Sequence, residues 1–426
     1  DIPHGQPLRL RTFDLAFYPE ERGPYNFDVE GFPGTSSGVN SDGQLIDPES
    51  RWGGVFRQIQ TNDFESANIE FLEFWMMDPF LENPISAGGD FYINLGNVSE
   101  DILKDSRKSY ENGLPIDGSE ENIDTTAWGR VPSVQALVTA FNSGADARVL
   151  QDVGIDGMDD EMERDFIASE GGEITSYLDK IQNLFGPGSN AYINANDDPA
   201  ADNYHFFYGD DYDAQQKGIL ERYKKYNGPE GNSPTGDEAI SSYTQLPDIE
   251  DINNDFTLSE TEAYFQYNIS MRPQDLDQVG ENYITSIIEN AGPNSDTRWI
   301  QFKVPVRSYD KKIGSIPDFR SIRFMRMYMI GFQEPVVLRF ASLDMVRGEW
   351  RKYLNSLIDN GSPIENEETM FDISVVNLEE NGRRNPINYV LPPGIERERI
   401  LGATNLQQQN EQSISFKICD LISIKD

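Results

Sequence analysis

Ile69-Glu70-Phe71-Leu72-Glu73-Phe74-Trp75-Met76 is the stretch on which the fold turns. Its aromatic and branched side chains have strand composition, and its length suits a buried β-strand better than a helix. Asp90-Phe91-Tyr92-Ile93-Asn94-Leu95 follows and alternates as a half-buried strand does. The arrangement returns near the far end. Ile322-Arg323-Phe324-Met325-Arg326-Met327-Tyr328-Met329 repeats the residue types of 69–76, and Val336-Val337-Leu338-Arg339-Phe340 takes the place of 91–95. Asp63-Phe64 before the first block is echoed by Asp318-Phe319 before the second. The expected fold is therefore mainly β, with two related antiparallel β-sandwich units of the jelly-roll, galactose-binding-like kind and a helical, acidic-loop insertion. The units are expected at 1–134 and 266–426, with the insertion at 135–265. Glu70 and Glu73 in one block stand where Arg323 and Arg326 stand in the other, and pairing between them would set register more than add stability.

Between the blocks the pattern changes. Helical periodicity is read at Val134–Asn142, Glu161–Ile167, Ile174–Leu184 and Ala214–Tyr226, with a short helix at Asp101–Tyr110. Acidic loops at 194–198 and 209–213 and the Gly/Pro/Asn loop 227–234 separate them. Strands return at Phe371–Leu378 and Ser413–Ile418.

Composition narrows the function. With 73 acids against 35 bases, the net charge of −38 repels phosphate backbones and attracts cations, so nucleic acid is excluded as a partner. Hydrophobic residues at 37% and aromatics at 11% suffice for real cores. A single cysteine, Cys419, forbids an intrachain disulfide and a cysteine-rich metal site. Two histidines, His4 and His205, leave few routes to a Ser-His-Asp or zinc centre. No phosphate-binding glycine loop, HExxH or GxSxG occurs, so no enzymatic activity is expected. His205, inside Asn203-Tyr204-His205-Phe206-Phe207-Tyr208, reads as a packed ring. No run approaches the roughly 20 apolar residues of a membrane helix. The opening Asp1-Ile2-Pro3 reads as a piece cut from a longer protein.

Two acidic stretches have calcium-loop spacing. Calcium takes six to eight oxygens, which a loop supplies from positions 1, 3, 5, 7, 9 and 12. In Asp251–Glu262 these are Asp251, Asn253, Asp255, the Thr257 carbonyl, Ser259 and Glu262. Phe256 stands where the sharp turn favours glycine, at a cost of about 1–2 kcal/mol. In Asp152–Glu163 the glycine is in place as Gly157, and the ligands are Asp152, Asp156, the Met158 carbonyl, Asp160 and Glu163. Gly154 offers no side chain at position 3, so water or a neighbouring loop must complete that set. The acids at 196–202 and 209–213 are further oxygen sources, although solvated loops are the commoner fate of such runs. Calcium is the expected cofactor. Trp75, Tyr92, Trp299 and Trp350 offer a second reading, a calcium-dependent cell-surface glycan-binding module, against which core burial of these rings weighs.

Longer strings carry a resemblance. They include Glu21-Arg22-Gly23-Pro24-Tyr25-Asn26, Arg51-Trp52-Gly53-Gly54, Phe74-Trp75-Met76-Met77-Asp78-Pro79-Phe80 and Trp128-Gly129-Arg130-Val131-Pro132. Tyr226-Asn227-Gly228-Pro229-Glu230-Gly231-Asn232, Val279-Gly280-Glu281-Asn282-Tyr283, Ser321–Arg326 and Val346-Arg347-Gly348-Glu349-Trp350 continue the series. In these strings the chain resembles the SprA/Sov family, the giant outer-membrane translocon of the type IX secretion system. The resemblance implies a very large β-barrel that exports folded cargo and, in some relatives, supports gliding motility. It implies as partners the remainder of that barrel, a smaller cargo-shuttling outer-membrane barrel, a periplasmic plug protein and secreted cargo proteins. This segment is then expected to be a soluble cap facing the cell exterior. The chain departs from the family in size and shows no full set of barrel strands.

Overall fold

The computed structural model describes residues 11–32, 36–134, 138–166, 177–233, 246–291 and 296–348, and beyond them 358–359, 362–363, 370–378, 388–393 and 412–419. The chain forms two compact units, Asp1–Trp350 and Arg351–Asp426.

The first unit is built on ten strands: β1 (Phe13–Phe17), β2 (Trp52–Gln58), β3 (Ile69–Met77), β4 (Gly89–Asn97), β5 (Ala263–Met271), β6 (Ile284–Ala291), β7 (Asp296–Pro305), β8 (Lys311–Ile313), β9 (Phe324–Ile330) and β10 (Val336–Arg347). They pair antiparallel in two five-stranded sheets, ordered β1-β10-β3-β7-β6 and β8-β5-β4-β9-β2. Successive residues of a strand point to opposite faces, so alternate positions of each sheet line one interior. From the first sheet these are Leu72, Phe74, Met76, Ile300, Phe302, Val304, Leu338 and Phe340. From the second they are Phe91, Ile93, Leu95, Phe265, Tyr267, Ile269, Met325, Met327 and Met329. Phe74 stacks on Phe302 at 4.8 Å and meets Phe91 of the opposite sheet edge-on at 6.5 Å. Each such fully buried side chain contributes about 1.5–3 kcal/mol by leaving water.

The mainly β, antiparallel sandwich expected from 69–76 and 322–329 is present. The segments 1–134 and 266–426, however, do not make separate units. β3 lies beside β7 and β10 in one sheet, while β4 lies beside β5 and β9 in the other. A hydrophobic pattern dictates that a strand is buried on a given face, but not which strand it pairs with. The two similar blocks are thus strands of the two facing sheets of one sandwich. Glu73 and the arginines opposite it in sequence find other partners: Glu73 accepts from Gln301 at 2.7 Å, Arg323 donates to Asp255 at 2.9 Å, and Arg326 holds Glu262.

The insertion also begins earlier than residue 135. Asn97 ends β4 opposite Ala263, which begins β5, so residues 98–262 are one very long hairpin connection. Its neck is closed by the Glu100 amide donating to the Ser259 carbonyl at 2.7 Å. Arg326 grips both oxygens of Glu262 at 2.9 and 2.8 Å, and the Ser99 amide donates to the same carboxylate. Within the connection the helices are α1 (Ala145–Gln151), α2 (Asp160–Asp165), α3 (Tyr177–Phe185), α4 (Asn190–Asp197), α5 (Asp210–Ala214) and α6 (Ile219–Arg222). Residues 101–110 form bends without a helix, and the described part of Val134–Asn142 is likewise non-helical. The stretch Ala214–Tyr226 is helical only through Ala214 and over α6, where Gly218 precedes the first turn. A second small core joins α3 and α4 to the segment before β2: Leu178, Ile181, Ala191 and Ala195 pack with Val29, Val39 and Leu45.

In the second unit, β11 (Met370–Asn377) pairs antiparallel with β12 (Gln412–Cys419), near the expected strands. Tyr389 and Ser413 share a 2.6 Å hydrogen bond. His4, Glu349 and Trp350 fall outside the described residues.

Candidate metal centre

The loop between α1 and α2 makes the sharp turn that its sequence promised. Gly157 has φ +70°, and a Cβ there would lie 2.3 Å from the Arg130 carbonyl oxygen. The Arg130 amide in turn donates to the Asp156 carbonyl at 2.7 Å, which fixes the loop against the 128–132 segment. Asp159 caps α2 by accepting from the Met162 amide at 2.9 Å. These contacts bring Asp156 and Glu163 together, and Asp202 joins them from the segment after α4. The ligand oxygens of these three buried acids all lie within 4.8 Å of one another, the one such group among the described residues.

Each carboxylate of the cage satisfies one oxygen from the protein. Asp156 Oδ1 accepts from the Met158 amide at 3.2 Å, and Glu163 Oε2 from the Ala200 amide at 2.9 Å. Asp202 Oδ2 accepts from the Tyr25 hydroxyl at 2.9 Å, and Glu230 Oε1 from the Asp160 amide at 3.4 Å. The other oxygen in each case, Asp156 Oδ2, Glu163 Oε1, Asp202 Oδ1 and Glu230 Oε2, is buried and has no hydrogen-bond partner among the described residues. Four orphaned carboxylate oxygens in one interior are costly, because buried charge is tolerated only when paired or coordinated. Burial first, and then repulsion among the acids, raises the pKa of Asp156 and Glu163 far above the carboxylate range. Burial raises Asp202 as well, and together with Asp202 and Asp160 it pushes Glu230 up to about 8. The perimeter differs. Asp198 is paired with Lys225 at 2.8 Å, and Asp160 lies against Asn203 and, at 3.8 Å, Arg164.

Tyr25 locks the cage from outside the insertion. Its hydroxyl donates to Asp202 while accepting from the Ile155 amide at 2.8 Å, and burial beside Asp202 and Asp156 keeps the phenol protonated. Arg22 donates to the Asp198 carbonyl at 2.6 Å and to that of Pro199. The three carboxylates whose oxygens converge, Asp156, Glu163 and Asp202, could hold a hard divalent ion.

The expected ligands of 152–163 therefore divide. Asp156 and Glu163 face the cage, Asp160 stands at its rim through its backbone, and Met158 contributes its amide to Asp156. Asp152 turns elsewhere, its Oδ2 accepting from the Ser233 amide at 2.8 Å. The 251–262 loop keeps the backbone of a calcium turn. Phe256 has φ +62°, and Asp251 accepts from the amides of Asp255 and Phe256 at 3.1 and 2.7 Å. Asn253 accepts from the Asp255 amide at 2.8 Å. Its acids, though, are answered by the chain's own cations. Lys108 lies 3.4 Å from Asp251, Arg323 pairs with Asp255, and Arg326 draws Glu262 to the hairpin neck. Thr257 donates to Asp255, and Ser259 sits at the neck beside Arg323 at 3.5 Å.

Asp202 comes from the 196–202 acids named as a further oxygen source, whereas Glu230 and Tyr25 escaped the reading by spacing, since chain distance separates them from the loop. The signal that could have found them was already present: Glu21–Asn26, Trp128–Pro132 and Tyr226–Asn232, three of the strings that carry the resemblance, meet at this cage. The acids of 209–213 do not join it. Asp211 bonds His205 Nε2 at 3.0 Å, Asp213 holds Arg222 at 2.6 Å, and the His205 ring lies over Tyr212.

Fold and site together define a β-sandwich bearing a long insertion organised around buried carboxylates. Residues 176–425, more than half of the chain, match the SprA_N family, described as a motility related/secretion protein, and the chain belongs to that family. No curated protein matches the chain. Among the described residues, no helix is long and apolar enough to cross a membrane.

Proposed function

We propose that this chain is a non-catalytic, calcium-braced segment of an outer-membrane protein translocon that serves type IX secretion and gliding motility. Family membership supports the secretion role, and the four orphaned oxygens of the 156–163–202–230 cage carry the calcium role. The segment acts as a cap toward the cell exterior. It works with the rest of the barrel, a smaller cargo-shuttling barrel, a periplasmic plug and the secreted cargo. In this reading the ion is structural: it neutralises Asp156, Glu163 and Asp202, beside Glu230, and so ties the α1–α2 loop to the segment after α4. A ligand that binds only the folded state stabilises it by mass action, about 2.7 kcal/mol at a hundredfold excess over Kd.

The expected result is a higher Tm in millimolar calcium than in chelator, with chelation also opening the 138–233 region to protease. An unchanged Tm in both conditions rules the brace out. Asp202→Asn in the full translocon should reduce secretion of cargo to the cell surface; normal secretion by a strain lacking residues 98–262 would remove the cap role. One observation favours the second reading, a surface glycan-binding module. On the outer face of the second sheet Tyr92 and Tyr328 stack at 4.8 Å, with Gln266 donating to the Tyr328 hydroxyl at 3.0 Å. Loss of glycan-array binding on Tyr92→Ala would favour that reading.

A further inference from the structure

The loop joining β3 to β4, residues 78–88, enters β4 at the end remote from the hairpin neck. Pro79 and Pro84 fix φ at two of its positions, and its own hydrogen bonds close it into a definite shape. Asp78 accepts from the Phe80 amide at 2.9 Å, the Asn83 amide donates to the Phe80 carbonyl at 3.0 Å, and Ser86 Oγ accepts from the Gly88 amide at 3.2 Å. Phe80 is buried and anchors the loop on the sandwich core. Ile85 at the tip is nevertheless 92% exposed, and Leu81 41%. One exposed aliphatic side chain is ordinary, but this one borders a cleft.

The cleft, of about 180 Å³, opens between this loop and the β9–β10 turn, residues 331–335. Phe332 lies at its base, 2% exposed, and Gly89 makes room for the ring, since a Cβ there would lie 2.4 Å from it. Asn83, Ser86, Gln333 and Glu334 supply the polar lining. The amide donors of that lining are already engaged. Asn83 Nδ2 donates to Glu334 Oε2 at 3.2 Å, and Gln333 Nε2 donates to Glu49. Of these side chains only the Ser86 hydroxyl can still donate. A guest therefore meets acceptors: the amide oxygens of Asn83 and Gln333, and the Glu334 carboxylate, which has no cationic partner among the described residues. Glu49, and Glu82 of the same loop as Ile85, add negative charge nearby.

Such a lining suits a group that only donates. A guanidinium offers five donors in a flat fork and no acceptor, and its bonds to a carboxylate are stronger than those of a neutral donor. A dication is a poorer match, because Glu334 is the one carboxylate lining the cleft. We propose that the cleft receives an arginine side chain of a partner protein, with Ile85 and Leu81 covered by aliphatic side chains next to that arginine. Arginine is enriched in protein interfaces, and a loop already held in shape has little left to order on binding. The surrounding acids steer a basic partner toward the surface. This surface shares no residue with the carboxylate cage, so neither reading depends on the other.

The test uses the whole chain and two probes: a leucine–arginine–isoleucine tripeptide blocked at both ends, and the same peptide with citrulline, the uncharged analogue of arginine. In isothermal titration calorimetry the arginine peptide should bind roughly tenfold more tightly, the factor that a hydrogen bond to a charged group supplies. Glu334→Gln, at an exposed position, should abolish that difference without changing Tm, and Ile85→Ser should weaken both peptides alike. Equal affinity of the two peptides for the native chain, no binding of the arginine peptide at millimolar concentration, or a difference that survives in Glu334→Gln overturns the proposal. A native dimer in sedimentation equilibrium that Glu334→Gln turns into a monomer would make the occupant a second copy of this chain, and would overturn it too.

Discussion

Gly154 shows how little freedom the cage leaves at single positions. Its φ is +78°, and a Cβ would sit 2.3 Å from Asp202 Oδ2 and 3.0 Å from the Tyr25 hydroxyl. Gly154→Ala is therefore expected to cost about 1–3 kcal/mol and to weaken calcium binding, both readable by urea unfolding with and without the ion. Gly186→Ala is the control, since that glycine shares a positive φ of +83° but has open space around it. Titration offers a second check. Burial raises Asp152 to about 6 and Glu230 to about 8, each above its value in the unfolded chain. A carboxyl whose folded pKa is raised favours folding below the unfolded pKa, and that contribution is lost as pH rises through the folded value. Metal-free protein should thus lose stability between about pH 5 and pH 8. With saturating calcium the acids must ionise to bind, so stability should rise over the same interval; parallel slopes in both conditions would contradict the coordination. The juxtaposition of Asp156, Gly157 and Glu163 was legible because a turn and its acids share one short stretch. Asp202 was legible only as one of the 196–202 acids named as further oxygen sources, and Glu230 was not, because only tertiary folding brings it near. In the 251–262 loop spacing was a poor guide, since it is blind to Lys108, Arg323 and Arg326 arriving from elsewhere.

Among elements, strands were read more faithfully than helices. β3 and β9 announce themselves by dense apolar side chains with alternate burial, and the structure places both close to where the pattern put them. What the pattern left open was partnership, because similar strands serve equally well in one sheet or the one facing it. The short helices of the insertion are set by caps and tertiary contacts more than by periodicity: Ser189 caps α4 through the Tyr192 amide at 3.1 Å, and α5 and α6 carry no buried residue. Isolated helices this short have little intrinsic stability. The β4–β5 pair adds a prediction at this scale. Because Asn97 and Ala263 are register partners, replacing 98–262 with a short hairpin turn should leave a cooperatively unfolding sandwich that no longer responds to calcium. A noncooperative melt would show that the insertion is needed to complete the sandwich.

Over the whole molecule, a net charge of −38 opposes compaction through self-repulsion, and bound dications would relieve it where the acids are densest. The hairpin neck has a further consequence for assembly. β4 and β5 can pair only after the chain between them has brought its ends together. Closing so long a loop, compared with a four-residue turn, costs about 3 kcal/mol more in chain entropy. A cation that gathers Asp156, Glu163 and Asp202 would shorten that loop before the strands meet. Stopped-flow refolding should accordingly be slower in chelator than in calcium, and the difference should vanish once 98–262 is excised. The ion would then act as a timing signal: the sandwich would complete itself quickly only where calcium is plentiful.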